Sequence, residues 1–391
     1  MPVAAAFPFV NVQVDTSGLQ PIAQRAPGVL AVVGRTASGA AGGAAAPNRP
    51  TVVSSVDEAA SLFSKVTNNV PASNPLFDAL VLALLQEPRP STIYGVRVDG
   101  DDVAGALASL DAADDVTFVV LARTTEIGNP ASGNSAATGL QALKAHVETV
   151  SLAGNGRVGV AMVDAGTAKS PTYAAEMLAT MEPVRSASSR MIVVAARGST
   201  DDVAVAAASA IAGLPPSVSI VLKPVRGISI PLEQQYGPSE IRALSEGGIV
   251  PIIDPALIVG TGLFFADGRT FTTDDSVLFV DTRRIIDDAT ARLKAGLIGM
   301  VGDARITKSG LTLVRTRIEG ILGPLQRSGA IDRFEVNIPV LDVLSLPEAT
   351  WSPTDRALVT TARSDRAVDA EVVLGFASVT HRLEIALLVT N

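Results

Sequence analysis

Short apolar runs that alternate with helix-period stripes constrain this chain more than any other feature. Thr117 to Leu121, Val158 to Val163, Met191 to Ala195 and Ser217 to Leu222 read as buried strands. Between them Leu140, Leu143, Val147 and Val150 recur at three-four spacing, which predicts a helix. Thr172 to Met181 and Asp201 to Ile211 are two further helix patterns, the second with Thr200 or Asp201 as its N-cap. Strand and helix in strict alternation argue an α/β layer with largely parallel strands.

The flanks read differently. Val10, Val12 and Val14 alternate with Asn11, Gln13 and Asp15, a period-two strand with one apolar face. Leu383, Ile385, Leu387 and Val389 alternate in the same way at the other end. Neither has a neighbouring hairpin turn to pair it, and an apolar strand left unpaired invites association. Two readings stay open: each terminus completes a sheet within its own chain, or each adds a strand to a neighbouring subunit. Val29 to Val33 begins another strand, and the Gly/Ala/Pro-rich span Thr36 to Pro50 reads as a mobile loop. Pro251, Asp254 and Pro255 break the apolar stretch Ile249 to Ala266 into strands and turns. Later, Leu311, Val314, Ile318, Ile321, Leu322 and Leu325 form an apolar helix stripe that stops at Gly329. Arg315 and Arg317 lie off that stripe, either as a solvated face or as a basic surface for an acidic partner.

Composition narrows the function. Hydrophobic residues make up 47% of 391, yet the longest plainly apolar run, Ala79 to Leu85, falls far short of the roughly 18 residues of a membrane span. The surplus must go into a core or into subunit contacts. Met1 to Asp15 has no basic start, so no secretory signal is expected. Without cysteine there is no disulfide, thiolate metal site or cysteine nucleophile. A net charge of −8 argues against a nucleic-acid footprint.

Catalytic patterns are absent or misplaced. Gly154-Asn-Gly-Arg-Val-Gly159 satisfies G-x-G-x-x-G, but it follows a helix and opens a strand, the reverse of a dinucleotide site. His146 and His381 are the two histidines, too far apart in sequence to suggest a metal site or a general base; His381 falls in the last strand pattern as a core or interface residue. Asp101-Asp102, Asp114-Asp115, Asp274-Asp275 and Asp287-Asp288 are adjacent pairs, whose side chains point apart on a helix and form no shared dyad. No catalytic residue, metal ligand or cofactor is expected. The residues alone leave one alternative: an α/β enzyme or small-molecule-binding protein with no recognisable motif.

Several segments, in order, resemble one family. Ala26-Pro-Gly-Val29 is similar to a Pro-Gly-Val start. Asn48 to Phe63 reads as proline, two-residue strand, serine, then a helix ending in phenylalanine. Asn74-Pro-Leu-Phe-Asp-Ala-Leu80 leads to the strand Ile93-Tyr-Gly-Val-Arg-Val98. Gly268 to Arg284 reads as a loop, an apolar strand Val277 to Val280, and Arg283-Arg284 opening a helix pattern Ile285 to Leu297. This series resembles contractile tail sheath proteins, the outer sleeves of phage tails, R-type pyocins and phage-tail-like injection systems. Asp281 and Thr282 depart from the more direct strand-to-arginine junction of that family.

The resemblance implies a mixed α/β (α+β) fold: a sheath-type core built from N- and C-terminal parts, an inserted α/β middle domain, and extended terminal β-strand arms. The implied divisions are an arm over 1–25, the core over 26–112 and 236–378, the insertion over 113–235, and an arm over 379–391. The implied function is a structural subunit that polymerises with itself as a helical sleeve of six-fold rings around an inner tube protein. Baseplate and cap proteins would be its other partners, with neither nucleic acid nor membrane insertion. Assembly would be cytoplasmic and the product part of a phage tail or a phage-tail-like particle; the compact length fits an injection system. Val10, Val12, Val14, Leu383, Ile385, Leu387 and Val389 would make the subunit contacts, and Arg315 and Arg317 would face the tube.

Overall fold

A computed structural model of the 391-residue chain describes residues 28–36, 42–133, 135–255, 257–258 and 262–381. Both terminal strand patterns lie outside these residues. The described chain starts with β1 (Val29–Gly34), β2 (Thr51–Val52), α1 (Val56–Phe63) and a small hairpin of β3 (Val66–Thr67) and β4 (Val70–Pro71). Next come α2 (Pro75–Leu84), β5 (Thr92–Arg97), α3 (Val103–Ala108), β6 (Phe118–Leu121), α4 (Gly139–Leu152) and β7 (Val158–Met162). Then follow α5 (Tyr173–Met181), β8 (Met191–Ala195), α6 (Val203–Gly213), β9 (Pro224–Val225), α7 (Pro238–Glu246), β10 (Ile249–Ile253) and β11 (Leu263–Phe265). The last elements are α8 (Val280–Leu297), α9 (Lys308–Arg327), β12 (Ile331–Asn337), α10 (Pro339–Ser345), α11 (Pro353–Asp365) and β13 (Glu371–Phe376).

Among the described residues nine strands form one sheet, in the order β2-β5-β1-β6-β7-β8-β10-β11-β9. From β5 to β10 every pairing is parallel; β2, β11 and β9 finish the edges antiparallel. Parallel strands need crossovers, and crossovers cover both faces, so the central strands are apolar without alternation. Leu30, Val32, Phe118, Val120, Ile192 and Val194 pack on one face with α1, α2 and α6. Ala31, Val33, Val119, Leu121, Met191 and Val193 pack on the other with α3, α4, α5 and α7.

Helix α6 explains the small residues of its sequence. Every residue from Val203 to Ala212 is buried, and a helix apolar all round is one enclosed on every side. Alanines let backbones approach closely, and Ser209 hands its hydroxyl proton to the Ala83 carbonyl of α2 at 2.7 Å. Its N-cap is Asp202, not Thr200 or Asp201, through a 3.2 Å bond from the Val205 N–H.

Three expectations need correction. Ser217 to Leu222 is not a strand: it turns, with a 3.0 Å bond from Val218 N–H to the Pro215 carbonyl and Leu222 at φ 55°. Val277 to Val280 is not one either. Phe279 makes a single antiparallel bridge to Arg269, and α8 has begun by Val280, five residues before the expected start. Within the span read as a mobile loop, Ala44 and Ala45 bond to the carbonyls of Ser61 and Leu62 at 3.2 and 2.8 Å, which pins that part of it to α1.

The described residues divide into two compact units. The larger takes 28–291, 322–335 and 372–381, hence the whole sheet and most of the ribbon formed by β12 and β13. The smaller takes 292–321 and 336–371, and its buried residues include Leu311, Ile318, Val340, Leu341, Val359 and Ala362. In the smaller unit Ser352 caps α11 through a reciprocal box with Asp355.

The closeness of α6 to the start of β1 is testable. A Cβ on Gly28 would lie 1.7 Å from the Ala212 carbonyl oxygen. Gly28→Ala should therefore lower stability by about 1–3 kcal/mol, read as a shift of the urea midpoint. An unchanged midpoint would mean that α6 gives way freely at its C-terminus.

Candidate assembly interface

An α/β sheet of this kind places its ligands, when it has them, beyond the carboxyl ends of the strands where the crossovers change faces. Here that point lies between β1, which leaves by α1 and α2 on one face, and β6, which leaves by α4 on the other. A crevice of about 330 Å³ sits there, lined in part by Gly34, Arg35, Ala122, Arg123, Thr138 and Gly139. Several backbone N–H groups in and next to it are committed to the chain's own groups. Leu76 N–H bonds the Arg35 carbonyl at 3.1 Å, and Leu140 and Gln141 N–H bond the Glu126 and Ile127 carbonyls at 2.9 and 3.0 Å. Asp202 accepts the Arg123 N–H at 2.6 Å. Burial pushes the Asp202 carboxyl up to about 6 despite those N–H bonds.

The G-x-G-x-x-G string is a turn from α4 into β7, as its order implied. Its arginine, Arg157, is fully buried and donates to the carbonyls of Leu110 and Ala113 at 2.7 Å each. Its other terminal nitrogen lies 2.9 Å from His146 Nε2. A guanidinium has no lone pair to offer, so His146 Nε2 accepts and the ring is neutral. Burial first, then the Arg157 charge, push His146 down to about 4.

The double arginine is an anchor. Arg284 is enclosed, donating to the Leu214 carbonyl at 2.6 Å and the Pro215 carbonyl at 3.3 Å, with its guanidinium 5.4 Å from the Phe118 ring centre. Burial pushes its pKa down to about 10. Arg283 pairs with Asp287 one turn on at 3.0 Å, and Arg190 from the start of β8 reaches the same carboxylate. Two cations at a helix start oppose the helix dipole; carbonyls and Asp287 offset that here.

Sequence reasoning missed a third buried arginine. Arg197, just past β8, lies between the Tyr173 and Tyr236 rings at 4.5 and 4.7 Å and pairs with Glu240 of α7 at 2.7 Å. Its own N–H donates to the Tyr236 hydroxyl at 2.8 Å. The only hint was that these are two of just three tyrosines in the chain.

The aspartate pairs separate as their adjacency implied. Asp102 caps α3, Asp114 bonds Asn155, Asp115 accepts from Tyr94, and Asp274 accepts from Ser276. Among the described residues no group of acidic or histidine side chains could hold a metal ion, and no helix is long and apolar enough to cross a membrane. Arg315 is exposed and paired with Glu319 at 3.0 Å; Arg317 is half-buried and holds the Gly296 carbonyl at 3.3 Å. Val10, Val12, Val14, Leu383, Ile385, Leu387 and Val389 are outside the described residues.

No protein-family model and no curated protein matches the chain. Solved structures do. A chain from the contracted sheath complex of an extracellular contractile injection system, PVC, superposes with a TM-score of 0.68 at 14% identity, over 99% of this chain and 98% of that one. One from the contracted helical sheath of the anti-feeding prophage gives 0.61 at 18% identity, over 99% of each. The sheath tail protein of Desulfitobacterium hafniense gives 0.54 at 10% identity, over 85% and 93%. The chain has the fold of a contractile sheath subunit. That fold accounts for the mixed α/β architecture of the described residues.

Two measurements follow from the buried charges. Arg284→Met removes the donor of the Leu214 carbonyl and one of the two donors of the Pro215 carbonyl, and should cost about 1–3 kcal/mol in urea unfolding, with Arg284→Lys recovering less than half; full recovery by lysine would mean that charge alone suffices. His146 and Asp202 act oppositely with pH. The histidine, depressed from 6.5, contributes stability above that value that is lost as pH falls through about 4. The aspartate, raised from 3.8, contributes stability below that value that is lost as pH rises through about 6. Relative to the parent, stability between pH 4 and 6 should rise more steeply with pH in Asp202→Asn and less steeply in His146→Gln. Parallel profiles would rule out both shifts.

Proposed function

We propose that this chain is the structural subunit of a contractile sheath, polymerising with itself in six-fold rings as a helical sleeve around an inner tube protein. Contraction of the sleeve drives the tube through a target envelope. The observation that carries this reading is the match of fold over almost the whole length of both chains to a sheath subunit in an assembled, contracted complex. Two packings of one rigid subunit, differing in free energy, supply the work; the reading requires no cofactor. Assembly takes place in the cytoplasm, between a baseplate and a cap protein.

The terminal strands carry the subunit contacts. Alternating Val10, Val12 and Val14, and Leu383, Ile385, Leu387 and Val389, suit β-augmentation of a neighbour. The two-stranded ribbon of β12 and β13 supports this, since among the described residues each strand pairs only with the other and has one edge left for a donated strand. Tube contact falls to the basic stretch 292–321. It carries six basic and two acidic side chains, a net of +4 in a chain of net −8. Arg315, exposed on α9, faces the tube, whereas Arg317 also holds the α8 carbonyl of Gly296. The core over 26–112 and 236–378 and the inserted part over 113–235 are the divisions this reading assigns, with arms over 1–25 and 379–391.

Negative-stain electron microscopy of the chain with and without its tube protein tests the reading. Hollow, striated sleeves or stacked rings of uniform width are expected, and a small closed oligomer under all conditions would refute it. Deleting 1–15 or 383–391 should leave a folded subunit that builds no long polymer; full-length sleeves from either deletion would sink the strand-donor reading. Arg315→Glu should weaken tube-templated assembly more than assembly of sleeve alone, with little loss of stability. Arg317→Glu should also lower the melting temperature. Equal effects of Arg315→Glu on both kinds of assembly would remove the tube-facing assignment.

A further inference from the structure

His381 is the last described residue, and three side chains distant in sequence meet there. Its Nε2 lies 2.9 Å from the Ser219 hydroxyl, 162 residues away in the chain. Its ring stands edge-on to Phe279, centres 4.8 Å apart and planes at 86°. The ring also lies over Gly268, where a Cβ would be 3.5 Å from His381 Cε1. All three partners sit on segments fixed independently. Ser219 belongs to the turn after α6, where its hydroxyl accepts the Val221 N–H at 3.3 Å. Phe279 precedes α8 and bridges Arg269, while the Gly268 carbonyl accepts the Val280 N–H at 2.9 Å. Residues 377–381 lie in no strand, so the contacts with Ser219 and Phe279 tie the end of this segment to the sheet unit.

We infer that Ser219, Phe279 and His381 form a clasp that fixes the root of the C-terminal arm, setting the point and direction from which 382–391 leave the subunit. The inference rests on the reading of that segment as an assembly arm. An arm hung from an unfixed root samples many directions, and each must be given up when it docks; a fixed root removes part of that entropy cost. His381 is thus a positioning residue.

Trypsin cutting after Arg382, directly beside the clasp, reads the root in the unpolymerised full-length chain by intact mass. Losing one hydrogen bond and one ring contact should speed that cleavage about ten-fold in His381→Ala, and by less in Ser219→Ala, which keeps the ring. His381→Phe, which keeps the edge-on contact, should fall near Ser219→Ala. Sleeve yield should drop in the same order, with the melting temperature of the subunit nearly unchanged. Cleavage rates equal to the parent in all three variants would overturn the clasp. Faster cleavage with undiminished sleeves would overturn its role in positioning. The chain lacking 383–391 separates the two ideas: if it too assembles fully, the arm reading itself fails, whatever the clasp does.

Discussion

A parallel sheet can leave neither face in water, and this structure follows from that constraint. Six neighbouring strands from β5 to β10 run parallel, so each crossover must lay a helix on one face or the other. Alternate residues along β1, β6 and β8 divide between two cores with no polar face left over. Helix α6 is the extreme case, buried on all sides by the sheet and α2, and built of alanine and valine because nothing larger would let the backbones approach. Burial of this extent leaves the sheet and its helices closely packed on both faces.

Charge enters this interior in one repeated form. Arg157, Arg197 and Arg284 are each buried beyond the reach of water, and each has its guanidinium on backbone carbonyls, with a ring or carboxylate beside it. An arginine stays charged where a lysine or histidine would lose its proton, so it alone can tie several carbonyls deep in a core. Arg157 closes the α3–α4 side, Arg197 fixes α7, and Arg284 joins the start of α8 to the end of α6. Around the crevice at the carboxyl ends of the strands, the N–H groups of Leu76, Leu140, Gln141 and Arg123 are likewise taken by Arg35, Glu126, Ile127 and Asp202.

A body tied together in this way leaves its adaptable contacts at the margins. The proposed contacts involve other segments: the ribbon of β12 and β13 with its strand edges, the basic stretch 292–321 with the exposed Arg315, and the proposed clasp at His381. Low identity with the matching sheath chains is consistent with this, because a buried strand needs only an apolar residue of fitting size, and many sequences supply one.

Much of the fold was legible in the sequence wherever one periodicity dominated. Met191 to Ala195 is a strand with the expected ends, and α5 begins one residue from the expected start; the short strand and helix ending at Phe63, expected from the family resemblance, are also present. Reading stopped where tertiary contact overrode local pattern. Ser217 to Leu222 is as apolar as a strand but lies in a turn beside β11, and Val277 to Val280 yields to the start of α8 because Arg283 and Arg284 find carbonyls and Asp287 within reach. The site was less legible than the fold. His146 was recognised as no general base, but its neutrality depends on Arg157 arriving from the next turn; the Arg197 box and the Ser219–His381 contact join residues tens to hundreds of positions apart. The sequence by itself determined the class of fold and the order of elements, because burial period is written locally in each segment. Only the tertiary structure decided which charges are neutralised, which turns replace strands and which groups meet His381, since those depend on residues brought together by the sheet.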